Sequence, residues 1–190
     1  MTEWYLIRHG RTYGNTQGRY IGCRTDEPLC EEGVLQVREK KLPPMDRIFA
    51  SPMLRCIQTA ELLWPGAPYQ VVEELRECDF GEFENRNHQE LQGDPRYQAW
   101  IDSGGCLPFP GGESARDFRD RCCRGFCLAA EQAAEAKKAA LVVHGGTIMA
   151  ILERYGSPHR EYFDFQVKNV EGYVLTPAEE TGLWNYRCLP

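Results

Sequence analysis

Two histidines, two arginines and one carboxyl group occupy similar places in this sequence. Each stands just after a short apolar run, or about one turn beyond it. Arg8 and His9 follow Trp4-Tyr5-Leu6-Ile7, Arg55 follows "RIFASPM", Glu77 follows "VVEEL" and Arg76, and His144 follows "ALVV". Burying two cations together is costly unless an anion neutralises them. A phosphoryl group meets that need, and the planar arginine fork donates two hydrogen bonds to it. A neutral imidazole is then a nucleophile towards phosphorus, with its other nitrogen holding a proton against a backbone carbonyl. Glu77 suits proton transfer to a departing alkoxide and then from an attacking water, help typically worth ~10²–10⁴-fold. Arg8, Arg55 and His144 would hold the phosphoryl oxygens in the transition state. This chemistry requires no metal and no other cofactor, and no carboxylate cluster suited to a metal is visible.

Strands and helices must alternate to bring these residues together. "EWYLI", "RIFAS", "YQVVEEL" and "AALVVHG" read as strands, being short runs rich in branched and aromatic residues. "EEGVLQVREKKL", "MLRCIQTAELLW", "ESARDFRDRCCRGFCLAAEQAAEAK" and "TIMAILERYG" read as helices, and "GYVLTP" and "LWNYRCL" as closing strands that could pair as a hairpin. The alternation predicts an α/β three-layer sandwich, with helices on both faces of a mainly parallel sheet. Ligands of such sheets bind beyond the carboxyl ends of the strands, where the five residues lie. Gly10 is expected to let the backbone turn closely beside a phosphate. Residues 82–112 are polar, aromatic and rich in Gly and Pro, and are expected to form a small cap insertion within one domain spanning 1–190.

The net charge of −6 argues against a nucleic-acid partner. No apolar run approaches the ~18 residues of a membrane span, and the first residues carry no signal-peptide pattern. The expectation is a cytoplasmic protein, a monomer or homodimer, acting on a small phosphate ester. Nine cysteines, an odd number without a CxxC pair, are expected to be reduced and inert, including Cys123 and Cys127 one helical turn apart.

Five segments in order resemble the histidine phosphatase superfamily, the phosphoglycerate-mutase-like enzymes: "RHGRTYGNTQGRYIG", "SPMLRCIQTA", "LRECDFGEFE", "PGGES" and "VVHGGTIMAIL". The resemblance implies that His9 is the phosphorylated nucleophile. It makes Arg8, Arg55 and His144 phosphate ligands, and places Asn15 near the transferred group. Glu77 in "LRE" matches the proton donor, with Glu82 in "GEFE" as the reserve candidate. Thr12, Gly22 and Gly145 are implied as further substrate or phosphate contacts. The implied fold is a mainly parallel sheet with one antiparallel strand. After "GEFE" many relatives continue with glycine, whereas this chain has Asn85.

Within the superfamily, the mutases carry a longer, basic insertion after the acid segment. Here residues 82–112 include Glu82, Glu84, Glu90, Asp94 and Asp102 against Arg86 and Arg96. A second phosphate would be poorly held, which favours transfer to water. "YIGCRTDEPLCEEG" and the compact length are most similar to alpha-ribazole phosphatases. Tyr97, Trp100 and Phe109 either stack on a benzimidazole or form the cap's own core. A broad phosphatase of sugar phosphates or nucleotides fits the same residues, and a mutase or an idle phosphate-binding protein fits less well.

Overall fold

The structure is a computed structural model that describes residues 1–178 and 182–190. In chain order the elements are β1 (Glu3–Arg8), α1 (Tyr13–Thr16), α2 (Glu31–Glu39), β2 (Arg47–Ala50), α3 (Leu54–Leu63) and β3 (Gln70–Val71). The short helices α4 (His88–Leu91) and α5 (Pro95–Asp102) and the long α6 (Ala115–Gln132) follow. β4 (Lys138–Val143), α7 (Gly145–Tyr155), β5 (Gly156–Ser157), β6 (Gly172–Pro177) and β7 (Trp184–Cys188) complete the chain.

Among the described residues, seven strands form one sheet in the order β3-β2-β4-β1-β6-β7-β5. Parallel pairing joins β3, β2, β4 and β1, while β6 runs antiparallel to both β1 and β7. β6 is therefore the one reversed strand, and it pairs with β7 as the expected hairpin. Alternation along β1 explains the layers. Trp4 and Leu6 pack on one face with Phe126 of α6 and Ile148 and Ile151 of α7. Tyr5 and Ile7 pack on the other with Cys56 and Ala60 of α3. Both faces of the strand are buried, as its unbroken apolar run requires.

Several boundaries differ from the sequence reading. The run 69–75 yields only a two-residue strand, because Glu73–Leu75 tighten into a 3-10 turn. The first predicted helix stops at Glu39, before Lys40 and the two prolines, and α6 ends at Gln132. α7 begins earlier than expected, at Gly145, immediately after His144.

In the expected cap, residues 82–112, Phe83, Leu91, Tyr97 and Phe109 form a small hydrophobic core with Phe118 and Cys122 of α6. Asn85 has φ 54°, the left-handed conformation that glycine adopts freely and asparagine tolerates. The glycine missing after "GEFE" thus leaves the backbone turn intact. The turn also lets Asn85 N–H donate to the Tyr20 carbonyl, which ties the cap to the loop after α1.

Candidate active site

Register brings the two histidines side by side. In the β1–β4 pair, Arg8 is opposite Val143, so His9 and His144 leave adjacent strand ends together. His9 N–H donates to the Val143 carbonyl at 2.9 Å, and the two imidazole centroids lie 5.2 Å apart. β2 lies on the other side of β4, which places Ser51 beside His144, its Oγ 2.7 Å from Nε2.

The His9 ring is fixed by its own neighbour, with Nδ1 2.7 Å from the Gly10 carbonyl. A carbonyl can only accept, so Nδ1 carries the proton and Nε2 keeps its lone pair. Burial, followed by the charges of Arg55 and Arg8, holds the His9 pKa well below its ordinary value. His144 is lowered likewise, by burial first and then by Arg55, His9 and Arg8. Both imidazoles are therefore neutral near pH 7.

Arg55 has no exposed surface. It rises from the first turn of α3 and donates to the carbonyls of Thr25, Ile21 and Gly22 at 3.1–3.3 Å. Arg8 donates to the Val167 carbonyl at 2.7 Å. The Nε atoms of both arginines are buried with no partner among the described residues. An unpaired buried donor is expensive, and an anion between the two guanidinium groups removes that cost.

Glu77 sits at the edge of this cluster, with Oε2 3.5 Å from His144 Nδ1. Its Oε1 accepts from Cys78 N–H at 2.9 Å. Burial raises its pKa, against the opposing pull of Arg55, the Cys78 hydrogen bond and Arg8. With the His144 imidazole neutral, their contact is not an ion pair between two full charges.

Arg8, Glu77 and Gly145 line a polar cleft of about 240 Å³. Gly145 opens α7, whose first N–H groups have no carbonyl partner in their own helix. Glu77, Gly146 and Met149 are shared with an adjoining, mainly apolar cavity of about 220 Å³ walled by Phe80, Trp100, Phe109 and Tyr162.

The remaining sequence candidates take other positions. Asn15 lies beside His9's strand end: its Oδ1 accepts from Thr12 N–H and from Asn169 Nδ2, each at 3.2 Å. Thr12 is fully buried as the N-cap of α1, its Oγ1 accepting from Asn15 N–H. Gly22 N–H is taken by Glu84 at 2.9 Å, and its carbonyl supports Arg55. Thr12 thus caps the helix that carries Asn15, and Gly22 belongs to the loop whose carbonyls hold Arg55. Glu82 is not brought to the histidines: its side chain is 56% exposed and bridges to Arg96 at 2.8 Å on the cap. Gly10 is needed for packing, since a Cβ there would stand 2.7 Å from Val37 of α2. Tyr97 and Phe109 are cap core, and Trp100 and Phe109 also face the apolar cavity.

Sequence reasoning missed Thr59 and Asn169. Thr59 accepts from Gly10 N–H at 2.9 Å and donates to the Arg55 carbonyl at 2.7 Å. Its spacing four residues after Arg55 was the available signal. Asn169 donates to the His9 carbonyl at 3.0 Å from a loop before β6, and no local pattern marks it. Among the described residues, no three His, Cys, Asp or Glu side chains gather as a metal site. All nine cysteines are unbonded thiols, and burial pushes Cys56, against the His144 ring, up to about 12.

A doubly covered, mainly parallel sheet with paired histidines and arginines at its carboxyl edge defines a phosphate-ester enzyme. The chain belongs to the histidine phosphatase superfamily (branch 1), which matches residues 4–187, and it is a phosphatase. It is 30% identical over 159 residues to the adenosylcobalamin/alpha-ribazole phosphatase of Salmonella typhimurium, covering 79% of this chain and 77% of that one. The alpha-ribazole phosphatase structure from Shigella flexneri superposes with a TM-score of 0.86 at 25% identity, covering 99% and 96% of the two chains. A phosphoglycerate mutase structure from Thermus thermophilus gives 0.73 at 31% identity, covering 96% of each. Among the described residues, no helix is long and apolar enough to cross a membrane.

Proposed function

We propose that the protein hydrolyses a phosphomonoester through a phosphohistidine on His9, and that its substrate is alpha-ribazole 5′-phosphate. The observation that carries the mechanism is the fixed tautomer of His9 among cations with unpartnered donors. Nε2 attacks phosphorus, a P–N bond forms and the ester P–O bond breaks. The Glu77 proton goes to the departing oxygen. Water then attacks the phosphohistidine, its proton goes to Glu77, the P–N bond breaks, and phosphate leaves with His9 neutral again. Arg8, Arg55, Asn15, His144 and the Gly145 N–H hold the phosphoryl oxygens, whose charge grows in the transition state.

The apolar cavity beside Glu77 supports the substrate. A benzimidazole is planar and apolar, and the aromatic wall offers it edge and face contacts. Arg119 is the cation on that wall, and its charge is already met by Glu153, with both carboxylate oxygens at 3.0 Å. A second anionic group on the leaving side would find no free countercharge there. That argues against phosphoglycerate.

The test is phosphate release from alpha-ribazole 5′-phosphate beside sugar phosphates, nucleotides and 3-phosphoglycerate. A preference of tenfold or more in kcat/KM for the ribazole ester is expected, along with an acid-labile phosphoenzyme that His9→Ala abolishes. A flat profile would replace the ribazole assignment with a broad-specificity phosphatase. Turnover retained in His9→Ala would remove the nucleophile.

A further inference from the structure

Arg121 lies on α6 and lines neither the polar cleft nor the apolar cavity. Even so, all five of its N–H donors are used. Nη1 donates to the carbonyls of Glu74 and Arg76 at 2.8 and 2.7 Å, and Nη2 reaches the Glu77 carbonyl at 3.4 Å. Nε and Nη2 also bind the two carboxylate oxygens of Glu113 at 3.0 and 2.7 Å. Glu113 grips the same segment from its far end: its N–H donates to the Asp79 carbonyl at 2.9 Å, and its Oε2 accepts from Asp79 N–H at 3.4 Å. Both side chains are mostly buried, at 15% and 17% exposure.

The segment they hold lies outside the sheet, and its other polar ties include Cys23 N–H to the Cys78 carbonyl at 3.0 Å and Arg24 to Asp79 at 2.7 Å. After the 3-10 turn Glu73–Leu75, residues 76–80 belong to no helix or strand. Glu77 therefore lacks the sheet ladder that fixes Arg8, His9 and His144. A carboxyl that must meet one substrate oxygen needs such support, because a misplacement of about 1 Å can cost ~10²-fold in rate. An arginine fork can hold three carbonyls and a carboxylate at once, whereas lysine has three donors on one point.

We infer that Arg121, paired with Glu113, is a positioning residue that fixes the proton-donor segment and so sets how well Glu77 reaches the leaving-group oxygen. The inference rests on the reading of Glu77 as proton donor. It makes a specific prediction about leaving groups. A p-nitrophenolate departs without a proton, whereas an alkoxide needs one. Loosening Glu77 should penalise alkyl esters selectively, while a general loss of folded enzyme would lower both substrates alike.

The experiment measures kcat/KM, which reports phosphoryl transfer to His9, for p-nitrophenyl phosphate and for an alkyl phosphate. The variants are Glu77→Gln, Arg121→Lys, Glu113→Gln and the double Arg121→Met/Glu113→Gln, which leaves no unpaired buried charge. Thermal unfolding and circular dichroism of each identify the folded samples. Glu77→Gln should lower the alkyl-to-aryl ratio ~100-fold, and each folded Arg121 or Glu113 variant should lower it ~10-fold, a part of the proton donor's effect. If Glu77→Gln is selective but the other variants reduce both substrates equally, the positioning role is overturned and the proton donor stands. If Glu77→Gln itself reduces both equally, the proton-donor reading falls, and the role of Arg121 falls with it.

Discussion

Acidification from pH 7 to 5 should destabilise this protein far more than its surface charges would predict. His9 and His144 are buried neutral, with pKa values well below the unfolded value of 6.5. Between those values the unfolded chain binds more protons than the folded one, so stability falls as pH falls. While a histidine stays neutral in the fold, this amounts to about 2 kcal/mol between pH 7 and 5, or about 4 for the two. Glu77 acts in the opposite sense. Its raised pKa makes the folded state bind more protons above pH 4.5, so its contribution grows as pH falls and offsets part of that loss. The net loss should therefore stay below about 4 kcal/mol. Asp46, Glu90, Asp94 and Asp120 have lowered pKa values, so their contributions are lost mainly below pH 4 and leave this window clear. Urea unfolding at half-unit pH steps measures the loss. Either His9→Asn or His144→Asn should remove about half of the histidine share, whereas Glu77→Gln should deepen the fall. A flat profile in the parent protein, or an unchanged one in both histidine variants, would refute the buried neutral pair.

Gly172→Ala should sharply lower the yield of folded protein or its melting temperature, because a Cβ there would stand 1.8 Å from the Leu6 carbonyl oxygen in the neighbouring strand. The expected cost is at least the ~1–3 kcal/mol of an overpacked core, read by thermal unfolding. Asn169→Ala removes donors to the His9 carbonyl and to Asn15 Oδ1. It should cost about 1–3 kcal/mol and lower kcat, as unfolding and steady-state kinetics would register. Glu82→Gln should leave kcat/KM within about twofold of the parent, as expected of a surface pair worth ~0–1 kcal/mol. A loss comparable with that of Glu77→Gln would return the proton-donor role to Glu82. EDTA should leave turnover unchanged, since side chains supply each step of the proposed reaction; restoration of activity by an added metal would displace that mechanism.

The chemistry of the candidate site was legible because its residues follow strand ends, and strand ends are marked by local apolar runs. Arg8, His9, Arg55 and His144 were placed in this way beside the ends of β1, β2 and β4, whereas Glu77 follows a 3-10 turn. Roles that depend on what a neighbouring element presents were not legible. Gly10 looks like a phosphate glycine until α2 is packed against it, and Glu82 looks like a proton donor until α5 brings Arg96 to it. Thr12 and Gly22 look like ligand contacts, yet a helix cap and a carboxylate already use their polar groups.

By itself, the sequence determined the alternation of strands and helices, the burial of both sheet faces and the set of candidate site residues. These follow from periodicity and residue type over short windows. Only the tertiary structure decided that β4 enters between β1 and β2, which puts His144 beside both His9 and Ser51. It alone joined the five donors of Arg121 to the carbonyls of Glu74, Arg76 and Glu77 and to the Glu113 carboxylate, and formed an apolar cavity from Tyr20, Trp100 and Tyr162. Strand order and side-chain reach join residues far apart in the chain, and no local pattern encodes which distant partner a strand edge or a guanidinium will meet.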